Sequence, residues 1–181
     1  MTEQDVREIL RLAGMDMSDA LSHSGTGRRL MLGRIGQEAI RSIVLRHHAD
    51  LEFALTLTLA HSLLRASGSL GTADDTTAVT LELAALLERK LGVTGAAEMA
   101  RLMGAISAEQ RSIVLELNAL RNKYAHMENP STRDGLSLRY RGRRLEEPTN
   151  LRRLVHDVAS VRSKLGELLR TDEVDDADAA D

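Results

Sequence analysis

The chain has 181 residues, 43% of them apolar, no cysteine and a formal net charge of −3. That length suits one domain with modest extensions, and the lack of cysteine excludes disulfides and thiolate-ligated metal sites while fitting a reducing compartment. Only Phe53, Tyr124 and Tyr140 are aromatic, so Leu, Ala, Ile, Val and Met must fill the core, and that composition favours helix over an all-β fold.

The first residues are polar and acidic, with no secretory signal, and no apolar run approaches the roughly 20 residues that span a bilayer. The expected location is the cytoplasm, without membrane contact. Charge is uneven along the chain. From Thr171 to Asp181 there are six acids (Asp172, Glu173, Asp175, Asp176, Asp178 and Asp181) and no base, leaving a slightly basic remainder of 24 bases against 21 acids. With almost nothing to bury, this tail is expected to be disordered and solubilising.

In chain order, Glu3 to Leu12 is a short helix with Val6, Ile9 and Leu10 on one face. The stretch Ser22 to Gly27 reads as a loop. Gly25, Gly27, Gly33 and Gly36 resemble a phosphate cradle only superficially, because no strand precedes them and the P-loop lysine is missing; residues 1–34 are expected to hold the N-terminal helix and a glycine-containing connector. From Ile35 to Ala66 the pattern is helical, as two helices meeting near His47 and His48, with Leu51, Leu55, Leu59 and Leu63 facing the core. A loop around Gly68 leads to a helix from Asp75 to Leu91, with Val79, Leu83, Leu86 and Leu87 inward and Gly92 as its cap. A short helix spans Ala96 to Ala105.

Ser107 and Gln110 have capping-box spacing and open the next helix, which stops before Asn129-Pro130. Leu136, Leu138 and Tyr140, the turn Arg141-Gly142-Arg143, and Leu145 predict a small β-hairpin. Thr149 or Asn150 then caps a last helix with Leu151, Leu154, Val155, Val158, Val161, Leu165 and Leu168 on its apolar face. The chemistry-bearing candidate is the end of the helix that begins at Ser107, Arg121-Asn122-Lys123-Tyr124-Ala125-His126. At about 100° per residue, Ile113, Leu117, Leu120 and Tyr124 form the buried stripe. Asn118, Asn122 and His126, four apart, form a polar row on nearly the opposite face. Arg121 flanks the stripe, about 140° around the axis from His126, so a shared site requires a long reach, local unwinding or a second subunit. An imidazole can exchange a proton with a ribose 2′-hydroxyl near neutral pH, and a guanidinium can stabilise charge on phosphate oxygens.

At Arg121-Asn122 and His126 the sequence resembles the HEPN superfamily of α-helical proteins, whose signature is Arg, a polar residue, and His after four to six intervening positions near a helix end. It is also distantly similar to the mannitol-repressor family. The resemblance covers roughly Ala49 to Leu169. It implies an all-α, up-and-down bundle of four or five helices over residues 35–170, with a hairpin before the last helix, to which composition adds the acidic tail over 171–181. It also implies a homodimer whose two motifs face each other and form a metal-independent endoribonuclease, as in toxins or phage-defence proteins. Carried over by position, Arg121 would stabilise the phosphorane, Asn122 would support it and His126 would be the acid and base. Glu52 is the candidate supporting residue, with a solvated helix face as its other reading.

Arg139, Arg141, Arg143 and Arg144 are candidate RNA-phosphate contacts, or an ordinary charged edge. Stacking partners for bases are nearly absent. His47, His48, His61 and His156 lack metal-site spacing, and no cofactor or metal is expected. Two functions stay open: the endoribonuclease acting on RNA, with an antitoxin or other protein as its partner, and a non-catalytic helical module that binds a partner protein or regulates transcription.

Overall fold

The computed structural model describes residues 1–15, 26–68, 73–125 and 138–175, with backbone alone for 26–30, 73–75 and 171–175. Among these residues the chain is all-α, with one small hairpin before the last helix. The order is α1 (Glu3–Ala13), α2 (Thr26–Ala66), α3 (Ala73–Leu102), α4 (Ala108–Ala125), β1 (Arg139–Tyr140), β2 (Arg143–Arg144) and α5 (Pro148–Asp175). No described helix is long and apolar enough to cross a membrane. The chain forms two compact units, Met1–His48 with Glu116–His156, and Ala49–Leu115 with Asp157–Asp181.

In the first unit α1 is defined at both ends by its own residues. Thr2 accepts the Asp5 N–H at 3.2 Å while the Asp5 carboxylate accepts the Thr2 N–H at 2.7 Å, a closed capping box. That bonding holds the Asp5 carboxyl below the usual carboxylate range, the Thr2 backbone N–H contributing most. At the other end Gly14 adopts φ 69°, and the Met15 N–H reaches the Leu10 carbonyl at 3.0 Å, the 6→1 bond of a Schellman stop. Val6, Ile9 and Leu10 are buried. Arg152 of α5 pairs with Glu8 at 2.9 Å, and Arg46 of α2 donates to the Ala13 carbonyl at 3.4 Å.

Two sequence expectations for α2 are corrected. The glycine segment is no connector from Thr26 onward, because Gly27, Gly33 and Gly36 lie within the helix. At Gly36 a β-carbon would fall 2.5 Å from the Met1 sulfur, so the missing side chain lets the N-terminus pack there. Nor does the helix break at His47-His48; it runs unbroken from Thr26 to Ala66. No Pro or Gly lies between Gly36 and Ala66 to interrupt the hydrogen-bond ladder.

The hairpin forms at the expected place. Arg139 pairs with Arg144 and Tyr140 with Arg143, and both central residues have positive φ, 48° at Arg141 and 76° at Gly142, the pattern of a type I′ turn. Leu138, Tyr140 and Leu145 are buried. The last helix begins earlier than expected, at Pro148, a residue preorganised for the first helical position. Asn150 is not its cap: the side chain is buried and donates to the Arg144 carbonyl at 3.0 Å and to Glu147 Oε2 at 2.8 Å, tying the hairpin to the helix. At the far end α5 continues to Asp175, so the first acidic residues after Arg170 belong to the helix; residues 176–181 lie outside the described ones.

In the second unit Leu51, Leu55 and Leu59 are buried as their spacing predicts. The buried hydroxyls of Thr56 and Thr58 fold back onto the carbonyls of Glu52 (3.0 Å) and Ala54 (2.8 Å), which lets polar β-branched residues sit in an apolar helix face. In α3, Gly92 has φ 57° and ψ 179° and breaks the helix; beyond it Val93, Ala96, Ala97 and Ala100 are buried. Before it the expected inward face is corrected in part: Leu83 and Leu87 are half-buried. The buried residues there are Thr80 and Ala84, whereas Val79 and Leu86 are exposed. Leucines spread over more than half of this helix, and packing selects the small residues, where a neighbour can approach most closely.

Ser107 and Gln110 close the expected capping box, the Gln110 N–H donating to Ser107 Oγ at 3.1 Å and the Ser107 N–H to Gln110 Oε1 at 2.8 Å. Glu98 bonds Arg101 at 2.9 Å and also pairs with Arg111, joining the end of α3 to the start of α4. Ser107→Ala is expected to lower unfolding stability by about 1 kcal/mol, read from a shifted urea midpoint at constant slope.

Candidate functional site

Ile113, Leu117, Leu120 and Tyr124 of α4 are all buried, as the stripe predicts. They anchor the helix and leave its last turn open: Arg121, Asn122 and Lys123 are exposed. Arg121 Nη1 donates to Asn122 Oδ1 at 3.0 Å. The pair therefore stands at an exposed position, with one guanidinium N–H bonded to the neighbouring amide oxygen. His126 lies outside the described residues, as does the segment that follows it to 137.

The polar row is only partly a solvent face. Asn118 is half-buried, and its Oδ1 lies 3.0 Å from Nε2 of His48, which is only 6% exposed. This buried His–Asn pair joins α2 to α4 and was not read from the sequence, where His48 was an ordinary helix position and Asn118 a member of an open row. The doublet His47-His48 carries no spacing that distinguishes it; only the approach of the two helices does.

Tyr124 is the other feature missed. It is 1% exposed, and its hydroxyl has no hydrogen-bond partner among the described residues. Burial, then the negative charges of Glu146 and Glu38, push its ionisation far above the ordinary tyrosine range against the weaker pull of Arg41. The phenol stays neutral at any physiological pH and is no acid–base candidate beside Arg121. A buried hydroxyl without a partner costs stability. Tyr124→Phe is accordingly expected to leave the unfolding free energy unchanged or to raise it by about 1 kcal/mol, as checked by urea denaturation.

The basic hairpin docks on the same helix. The Arg141 N–H donates to Glu116 Oε2 at 3.0 Å, and the Arg141 guanidinium lies 5.7 Å from the Tyr140 ring centroid. Arg139, Arg143 and Arg144 are exposed. Arg139 Nη1 donates to the Gly142 carbonyl at 2.9 Å, and Arg144 Nε lies 3.5 Å from Glu146. Register places Arg139 directly opposite Arg144, a like-charge cross-strand pair that costs stability. Glu116 precedes Arg121 by five residues, about 140° around the helix axis, so the hairpin and Arg121 occupy different flanks of α4.

The structure thus forms two groups within one unit, Arg121 with Asn122, and the hairpin arginines. Glu52, the candidate supporting acid, is half-buried and belongs to the other unit. What the exposed pair can do by itself is bind an oxyanion: a planar guanidinium held by its neighbour's carbonyl matches a phosphate or carboxylate edge. Models of protein families, curated proteins and solved structures were all compared with the chain, and none of them matches it.

Proposed function

We propose that the protein is a metal-independent endoribonuclease whose site consists of Arg121, Asn122 and His126, completed by the same residues of a second copy in a homodimer. The observation that carries this reading is the exposed Arg121–Asn122 pair, bonded at 3.0 Å on the last turn of a helix that is anchored in the core by its apolar stripe. His126 follows after four intervening residues. In the reaction His126 accepts the proton of a ribose 2′-hydroxyl as the 2′-oxygen bonds to the adjacent phosphorus. The phosphorus–O5′ bond breaks, O5′ takes up a proton from an imidazolium, and the products are a 2′,3′-cyclic phosphate and a 5′-hydroxyl. The Arg121 fork bonds the non-bridging oxygens as charge builds on them. Arg139, Arg143 and Arg144 supply phosphate contacts along the strand, and their mutual repulsion on the hairpin favours an anionic ligand.

The test is cleavage of a labelled RNA by purified protein in chelator, beside His126→Ala. Cyclic-phosphate ends formed by the wild type and lost in the variant support the reading; equal cleavage by both, or none by either, removes it. A second reading, a non-catalytic helical module that binds a partner protein or regulates transcription, is favoured by the placement of Arg121 and the hairpin on different flanks of α4. It predicts no cleavage by the wild type in the same assay.

A further inference from the structure

The arm of α3 before Gly92 carries an apolar stripe that remains open. Val79, Leu83 and Leu86 follow one another at spacings of four and three, and Leu64 of α2 flanks them. With Glu82, Ala85 and Arg89 they line a groove of about 580 Å³. Val79 is 48% exposed and Leu86 41%. The burial of Thr80 and Ala84 turns this stripe outward, although its side chains are those of a core.

The rim of the groove indicates what covers it. Glu82 and Arg89 are seven residues apart, two helical turns or about 10.5 Å, and fall within about 20° of each other along one edge of the stripe. Neither has an ion-pair partner among the described residues. One acid and one base on the same edge do not suit a membrane surface or a nucleic acid, each of which calls for a single sign. They do suit a copy of themselves. A two-fold axis reversing the helix direction sets Glu82 of one copy against Arg89 of the second, and does so twice, as a self-complementary isologous contact requires.

We propose that this face of α3 is a self-association surface, occupied by α3 of a second copy running antiparallel, with the two-fold axis passing beside Ala85 and Leu86. Leu83 and Leu86 interdigitate with their counterparts, and two Glu82–Arg89 pairs close the edges. This proposal uses none of the α4 motif residues and does not depend on the ribonuclease reading.

Charge exchange tests it. Glu82→Arg and Arg89→Glu each place like charges together twice, and each is expected to weaken the dimer about 10-fold or more by sedimentation velocity, while the double exchange returns it to within about 3-fold of the wild type. Both positions are at the surface, and rescue by the double variant separates a lost interface from a damaged fold. Because the chain has no cysteine, Ala85→Cys should give a cross-linked dimer with a short bismaleimide, and Ala159→Cys on the exposed side of α5 should not. A wild-type monomer at high micromolar concentration overturns the proposal. So does a dimer indifferent to both single exchanges, which would locate association elsewhere, including at the α4 motif, or a double exchange no better than the singles.

Discussion

Arg121→Ala is expected to slow cleavage of single-stranded RNA by about 10²- to 10³-fold in single-turnover assays containing a chelator, the loss that follows removal of one charge-stabilising donor. His126→Ala should cost about 10²- to 10⁴-fold, the range of a positioned general acid or base. Arg121→Lys should recover little of the lost rate, because an ammonium keeps the charge but lacks the planar fork that meets two phosphate oxygens at once. Arg121 is exposed and, among the described residues, bonded to its neighbour Asn122 alone, so Arg121→Ala should unfold at the wild-type urea midpoint. A rate that falls together with stability would assign Arg121 a structural role. A rate that does not fall in either variant would trace the cleavage to a contaminating nuclease.

The second large effect is structural. Leu117→Ala is expected to lower unfolding stability by about 2–5 kcal/mol, the sum of lost transfer energy and the cavity left behind. That is a substantial share of the roughly 5–15 kcal/mol that holds a domain folded. Leu117 is fully buried, one turn before Leu120 and two before Tyr124. Removing its branched end loosens the whole anchored side of α4 while leaving the exposed last turn chemically intact. Ala119→Ser, on the exposed side of the same helix, should shift stability by no more than about 0.5 kcal/mol. Equal effects at the two positions would contradict the burial of the Ile113–Tyr124 stripe.

The same helix illustrates what could be read from one dimension. Its start was legible because Ser107 and Gln110 satisfy each other's backbone partners within four residues, and its buried side because Ile113, Leu117, Leu120 and Tyr124 repeat with the helical period. The hairpin turn was legible for a similar reason: Gly142 accepts positive φ without strain. Asn118 was misplaced because a polar residue at a polar position looks solvated until a second helix arrives, and the helix that arrives here brings His48 to 3.0 Å. Asn150 is of a residue type that commonly caps a helix, but Pro148 opens this one and frees the Asn150 amide to hold the hairpin.

By itself the sequence determined the features that close over a few residues: helical class, the capping boxes, the α4 stripe, the hairpin, and the polar last turn of α4 at Arg121-Asn122. Each depends on local geometry, where propensity and periodicity act directly. Only the tertiary structure decided which side of α3 is buried, that α2 continues through His47-His48, that Asn118 pairs with His48, and that the hairpin meets α4 on the flank away from Arg121. In a chain so rich in Leu and Ala, several faces of a helix are apolar enough to pack. The choice among them rests on which small residues, Thr80 and Ala84 in α3 or Gly36 in α2, permit the closest approach of another segment.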